Sequence, residues 1–139
     1  MTAQTIYPFA TEHDTGATCR LGKTFTEVDN SLFSGITGNL SPLHMDAQYS
    51  RANGMDERIL FECLIAGLAS SAAAELTGGK YRVEKMSMDV LTAPILGMTY
   101  HAEATMGAKT AGSCEVSARV VNPDTGETVA TVEFRFRGF

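Results

Sequence analysis

Residues 59–77 read Ile-Leu-Phe-Glu-Cys-Leu-Ile-Ala-Gly-Leu-Ala-Ser-Ser-Ala-Ala-Ala-Glu-Leu-Thr, and Gly78-Gly79 follow. The stretch predicts a helix. Large apolar residues (Leu60, Phe61, Leu64, Ile65, Leu68, Leu76) and small ones (Ala66, Gly67, Ala69, Ala72, Ala73, Ala74) occupy nearly every side of it. A helix that is apolar all round belongs in an interior. Its small residues suit close packing against something broad, such as a curved sheet. The paired glycines are a stop signal.

Downstream the period changes from helical to two. Tyr81–Val90 largely alternates, as a half-buried strand does. Pro94 and Gly97 punctuate. Residues 100–106 alternate again, with Tyr100, Ala102 and Ala104 opposite His101, Glu103 and Thr105. Residues 114–121 and 128–137 predict two more strands around the turn Asn122-Pro123-Asp124-Thr125-Gly126. In the last, Ala130, Val132, Phe134 and Phe136 share one face. Upstream, residues 1–15 look like an arm and 17–23 like a strand. Thr26, with Asp29 three residues on, predicts a capped helix start. Val28, Leu32, Phe33 and Ile36 then form one apolar stripe, which predicts an inward-facing side, and Gly38 ends that helix. Residues 38–44 predict a turn-rich loop, and residues 46–52 a short helix with Asp46 as its cap. The fold class is α+β: one domain over 1–139, a long central helix wrapped by an antiparallel β-sheet.

Composition excludes several functions. The chain has 139 residues, 44% hydrophobic, with a net charge of −5 and a pI near 5.1. An acidic domain without a basic face is a poor nucleic-acid binder. Cys19, Cys63 and Cys114 are widely spaced and odd in number, which predicts reduced thiols. No Cys/His pair has zinc-ligand spacing, so no metal is expected. The first ten residues lack a basic start followed by an apolar run, which predicts no secretion. The longest apolar stretch is shorter than the ~20 residues that span a bilayer. A cytoplasmic protein is the expectation.

Function is concentrated in Gly38-Asn39-Leu40-Ser41-Pro42-Leu43-His44-Met45-Asp46. This segment resembles the signature of the MaoC-like (R)-specific enoyl-CoA hydratases and dehydratases, Gly-Asp-x-Asn-Pro-x-His with an aspartate two residues on. The resemblance continues through Arg58-Ile59 into the apolar helix and on to Ala93-Pro94 and Gly97, covering roughly residues 20–138. It implies a hotdog fold and a homodimer. The substrate would be an acyl thioester, with coenzyme A or phosphopantetheine as part of it and no separate cofactor. Adding water to such a thioester needs a base for the water, an acid for the α-carbon, and donors for the oxyanion. In the family, the motif's aspartate and histidine share the acid–base work, and backbone N–H groups at the central helix start polarise the carbonyl.

Carried over residue by residue, His44 matches the catalytic histidine. Asn39 stands where the family has aspartate, and Ser41 where it has asparagine. A carboxamide can hold a water but cannot take its proton. At the helix start the family commonly has Arg-Ile-x-His-Gly-Met, and this chain has Arg58-Ile59-Leu60-Phe61-Glu62-Cys63. Glu62 either crowds the approach that a glycine allows or supplies the carboxylate that the loop has lost. The expected site is therefore His44 and Glu62 as acid–base groups, Asn39 orienting water, and Phe61, Cys63 and Ser41 lining the substrate. Two alternatives remain: a hotdog thioesterase using Glu62, and a silent acyl-thioester-binding protein. Cys63 is otherwise a small buried hydrophobe, His101 a solvated histidine, and Lys80, Arg82 and Lys85 a solvated edge.

Overall fold

A computed structural model of the chain describes residues 12–139. Its elements run β1 (Thr18–Thr24), α1 (Glu27–Thr37), α2 (Pro42–Met45), α3 (Ala47–Ala52), α4 (Glu62–Thr77), β2 (Tyr81–Val90), β3 (Thr99–Thr110), β4 (Ser113–Val121) and β5 (Thr128–Gly138). The strands form one antiparallel sheet in the order β1-β3-β4-β5-β2. Helix α4 lies against its inner face, which is the hotdog arrangement.

Period-two patterning sets that face. Tyr100, Ala102, Ala104 and Met106 of β3, Cys114, Val116, Ala118 and Val120 of β4, and Ala130, Val132, Phe134 and Phe136 of β5 are all buried. They meet Ile65, Leu68, Ala69, Ala72, Ala73 and Leu76 of α4 in one cluster. Ala69, Ala72 and Ala73 are fully covered, so the helix backbone sits close to the sheet. Burial in the cluster pushes the Cys114 thiol up. Among the described residues no helix is long and apolar enough to cross a membrane.

Four expectations need correction. Helix α4 begins at Glu62, not Ile59, because residues 59–61 are held extended. Ile59 bridges Ile95, its N–H donates to Leu43 O, and Leu60 N–H donates to Pro94 O. Nor is the helix covered all round, for Cys63, Gly67 and Ser71 are exposed. Helix α1 has its predicted capping interaction, with Asp29 Oδ2 accepting from Thr26 N–H at 2.8 Å, and ends at Gly38 in the left-handed region. Its facing is reversed, however. Val28, Leu32 and Ile36 are 64%, 59% and 82% exposed, and Asn30 and Ser34 are the buried residues. Strand β2 is the fourth correction. Its register pairs Val83 with Phe136, Met86 with Phe134 and Val90 with Ala130, which puts them on the inner face, yet all three are exposed. It is an edge strand that α4 covers only in part: Tyr81 and Met88 pack on the core, and these three do not.

Two smaller features tie the ends of the sheet. The His101 ring lies across Gly22, where an added Cβ would meet it at 2.6 Å, and its Nδ1 accepts from Arg20 Nε at 3.0 Å. His101 is thus pinned rather than free in solvent. The residues of the expected arm that are described pack on the domain: His13 N–H donates to Leu76 O, and Glu12 meets both Tyr81 and Lys109. Residues 1–11 of that arm lie outside the described residues.

Tyr81 donates to Glu12 Oε1 at 2.6 Å, and that bond, followed by burial, pushes its phenol up to about 12. The same bond, then Lys109, holds the Glu12 carboxyl below the usual range. Tyr81 therefore stabilises the fold fully below the unfolded tyrosine pKa of about 10, and this is lost as pH rises through about 12. Burial also pushes the Tyr100 phenol up, so a tyrosinate absorbance titration should show a late phase that shrinks by one tyrosine in Tyr81→Phe and moves partly down in Glu12→Gln. For the helix–sheet contact, Ala72→Leu should lower stability by about 1–3 kcal/mol in chemical denaturation, since the site has no room for three more carbons.

Candidate active site

The loop after α1 is built from its own side chains. Asn39 Oδ1 accepts from the Ser41 N–H at 3.0 Å, a local turn that brings Pro42 to the first position of α2. Helix α2 is a single turn where a loop was expected, started by that proline. Asp46 caps α3 as predicted, accepting from Gln48 and Tyr49 N–H at 2.9 and 3.1 Å. The buried Ser50 hydroxyl ties α3 back by donating to Leu43 O at 2.9 Å.

This scaffold buries His44. Its Nδ1 lies 2.8 Å from Ile59 O. A carbonyl can only accept, so Nδ1 carries the proton, and the neutral ring presents its lone pair at Nε2. Nε2 faces Glu62 Oε2 at 3.7 Å. That exceeds a hydrogen bond, so the two atoms flank a common space rather than satisfy each other. The Phe61 ring stacks on the imidazole at 4.1 Å between centroids and 20° between planes, and Phe33 packs on Phe61 at 4.5 Å. The apolar rings shield one face of the base.

Glu62 stands in the first turn of α4, where the helix dipole favours a negative charge, and its side chain is partly exposed. The Glu62 and Cys63 N–H groups lie in that same turn, so they have no intrahelical acceptor. Phe61 N–H is taken by Asn30 Oδ1 at 3.1 Å. Arg58 braces this end of the molecule through Glu27 at 3.1 Å and Glu57 at 3.2 Å, and the Glu27 bond raises its pKa further.

The structure thus brings together His44, Phe61 and Glu62 of the expected site. Asn39 is exposed, and among the described residues no hydrogen bond joins it to His44. Ser41 is half-buried and precedes α2. Cys63 is exposed, not the buried small hydrophobe that its apolar neighbours suggested. Asn30, 1% exposed and bonded to three backbone groups, was missed. Its signal was available: Asn30 and Ser34 lie opposite Val28, Leu32 and Ile36 on α1, but an apolar stripe ordinarily claims the inward side.

Chemically, the arrangement offers a proton acceptor of fixed tautomer, a carboxylate beside it, and first-turn N–H donors without intrahelical acceptors. The family profile described as "MaoC like domain" matches residues 8–128. No curated protein sequence matches the chain. Among solved structures, an R-hydratase of Pseudomonas aeruginosa in unliganded form shares 24% identity at a TM-score of 0.82, covering 90% of this chain and 81% of that one. An (R)-hydratase of A. caviae involved in PHA biosynthesis shares 20% at 0.84, with 91% and 97% covered. A C-terminally truncated 3R-hydroxyacyl-ACP dehydratase complex of Mycobacterium tuberculosis shares 13% at 0.76, with 91% and 99% covered. The structural likenesses establish the shared fold, and with the profile spanning most of its length the chain belongs to the MaoC-like family of hotdog hydratases and dehydratases.

Proposed function

We propose that this domain interconverts a 2-enoyl thioester and its 3-hydroxyacyl counterpart by adding or removing water. The observation that carries the reading is the His44 Nε2 lone pair facing the Glu62 carboxylate at 3.7 Å beside the first turn of α4. The thioester carbonyl accepts from the free first-turn N–H groups of Glu62 and Cys63, which stabilise the enolate oxygen as charge builds there. Water sits between Nε2 and Oε2. Its oxygen bonds to the β-carbon as His44 takes one of its protons. Glu62 orients the water, steadies the imidazolium and serves as the second acid–base group. The proton taken by His44 is then delivered, directly or through Glu62, to the α-carbon on the same face, so one water is consumed and both groups return to their starting states. Dehydration is the reverse.

Phe61 screens the imidazole from bulk water. Ser41 and Cys63 lie at the margins of the substrate path. With its oxygen engaged by Ser41, Asn39 contributes as a donor toward water or substrate and not as a base. The thiol portion of the substrate is coenzyme A or a phosphopantetheine arm, and the protein acts in the cytoplasm. The structural relatives favour this chemistry: two are (R)-hydratases and one is a hydroxyacyl-ACP dehydratase complex. The partly exposed Glu62 carboxylate at a helix start favours a second reading, thioester hydrolysis with Glu62 as the base.

A paired assay separates the two. With 2-enoyl and saturated acyl-CoA thioesters, the hydratase reading expects loss of enoyl absorbance without free thiol. His44→Ala should lower that rate by roughly 10²–10⁴-fold, and Glu62→Gln should lower it in the same direction. Thiol release from saturated esters, lost in Glu62→Gln, would move the assignment to a thioesterase. Tight binding without turnover in either channel would make the protein a silent binder.

The chain is also proposed to pair with a second copy along β2, whose outer edge has no strand partner among the described residues and whose inner side chains Val83, Met86 and Val90 are exposed. Sedimentation should show a dimer, and Met86→Lys should shift it toward monomer. A monomeric native protein would refute the pairing.

A further inference from the structure

We infer that Asn30 is a positioning residue for the acid–base pair: its carboxamide fixes the tautomer and aim of the His44 imidazole and the point at which α4 begins, without touching substrate. The inference rests on the roles proposed above for His44 and Glu62. Asn30 lies on the inward side of α1 and is 1% exposed. One carboxamide meets three backbone groups from separate segments. Nδ2 donates to His44 O at 3.0 Å and to Ile59 O at 3.2 Å, and Oδ1 accepts from Phe61 N–H at 3.1 Å.

The second of these bonds matters most. Ile59 O is also the acceptor for His44 Nδ1, at 2.8 Å. A carbonyl has two lone pairs, and here both are used, one by the carboxamide and one by the imidazole. Asn30 therefore aims the carbonyl that selects the His44 tautomer. The third bond acts on the other partner. By holding Phe61 N–H it sets both the ring that stacks on His44 and the turn that carries Glu62. The 3.7 Å gap between Nε2 and Oε2 is defined from both sides by one buried side chain.

No other short side chain supplies two donors and an acceptor from one head. An ionised aspartate would set negative oxygens against two carbonyls, and a leucine would leave three buried backbone groups unpaired. A serine removes the carboxamide and leaves a space that water can fill. Because Asn30 is enclosed by protein, any effect on turnover passes through His44 and α4.

The test combines nitrogen NMR of the histidines with kinetics on Asn30→Asp and Asn30→Ser. In the native protein, neutral His44 should carry its proton on Nδ1, the less favoured tautomer of free histidine. In a folded variant the His44 signal should shift toward a mixture of tautomers. The kcat for enoyl thioester should fall on the order of tenfold to a hundredfold, with KM moving less than about threefold. A folded variant that keeps the native tautomer or the native kcat overturns the inference, as does a native His44 protonated on Nε2. Unfolding of both variants would make Asn30 a structural residue and nothing more, which also overturns it. The tautomer measurement needs no substrate. A native protein without turnover of enoyl thioester would therefore refute the hydratase reading and leave the tautomer comparison to decide the role of Asn30.

Discussion

Helix α4 lies closely against the sheet because Ala69, Ala72 and Ala73 bring no bulk to its inward face. The rest of the molecule answers that constraint. A helix set so deeply has its first turn beside buried residues, where the N–H groups without intrahelical acceptors are costly to leave unpaired. Asn30 takes the Phe61 N–H, and the Glu62 and Cys63 N–H groups follow it in the first turn. Residues 59–61 are drawn out of the helix to serve this end. Their backbone zips onto Leu43 and Pro94, which fixes the loop that carries His44.

The reversed facing of α1 follows from the same requirement. The segments around His44, Ile59 and Phe61 present backbone groups toward α1, and an apolar helix face there would leave them without partners. Asn30 and Ser34 face inward instead, at the expense of an exposed row of Val28, Leu32 and Ile36. Burial of three apolar side chains was exchanged for satisfaction of buried polar groups. That exchange is favourable where the unpaired groups are main-chain donors and acceptors that have no access to water.

This explains what the sequence disclosed and what it did not. Strands β3, β4 and β5 were legible because alternation is a local signal, and their inner residues are those the pattern assigned. The α4 core, the Gly38 and Gly78 stops, the Thr26–Asp29 interaction and the Asp46 cap were legible for the same reason. Ile59–Phe61 and Asn30 were not. Each is decided by a contact from distant chain: Ile95 for the first, and His44, Ile59 and Phe61 for the second. Strand β2 misled because alternation reports which side chains share a face, not how much of that face a helix covers. At the site, His44 and Glu62 were both singled out from the family motif and its departures. The tautomer could not be, because it depends on a carbonyl in another segment.

On the roles proposed above, Asn39 and Glu62 are linked departures from the family motif. The family motif places its carboxylate in the loop, a few residues before the histidine, and a small residue at the helix start. Here the loop position holds a carboxamide whose oxygen is spent on the Ser41 amide, and the helix start holds a carboxylate facing Nε2. One imidazole and one carboxylate are present here too, with the carboxylate at the electropositive end of α4. An anion there is stabilised by the same first-turn dipoles that would receive the thioester oxygen. In the proposed mechanism, the charge that assists His44 and the donors that polarise a carbonyl are carried by a single turn of helix, and both depend on where that turn begins.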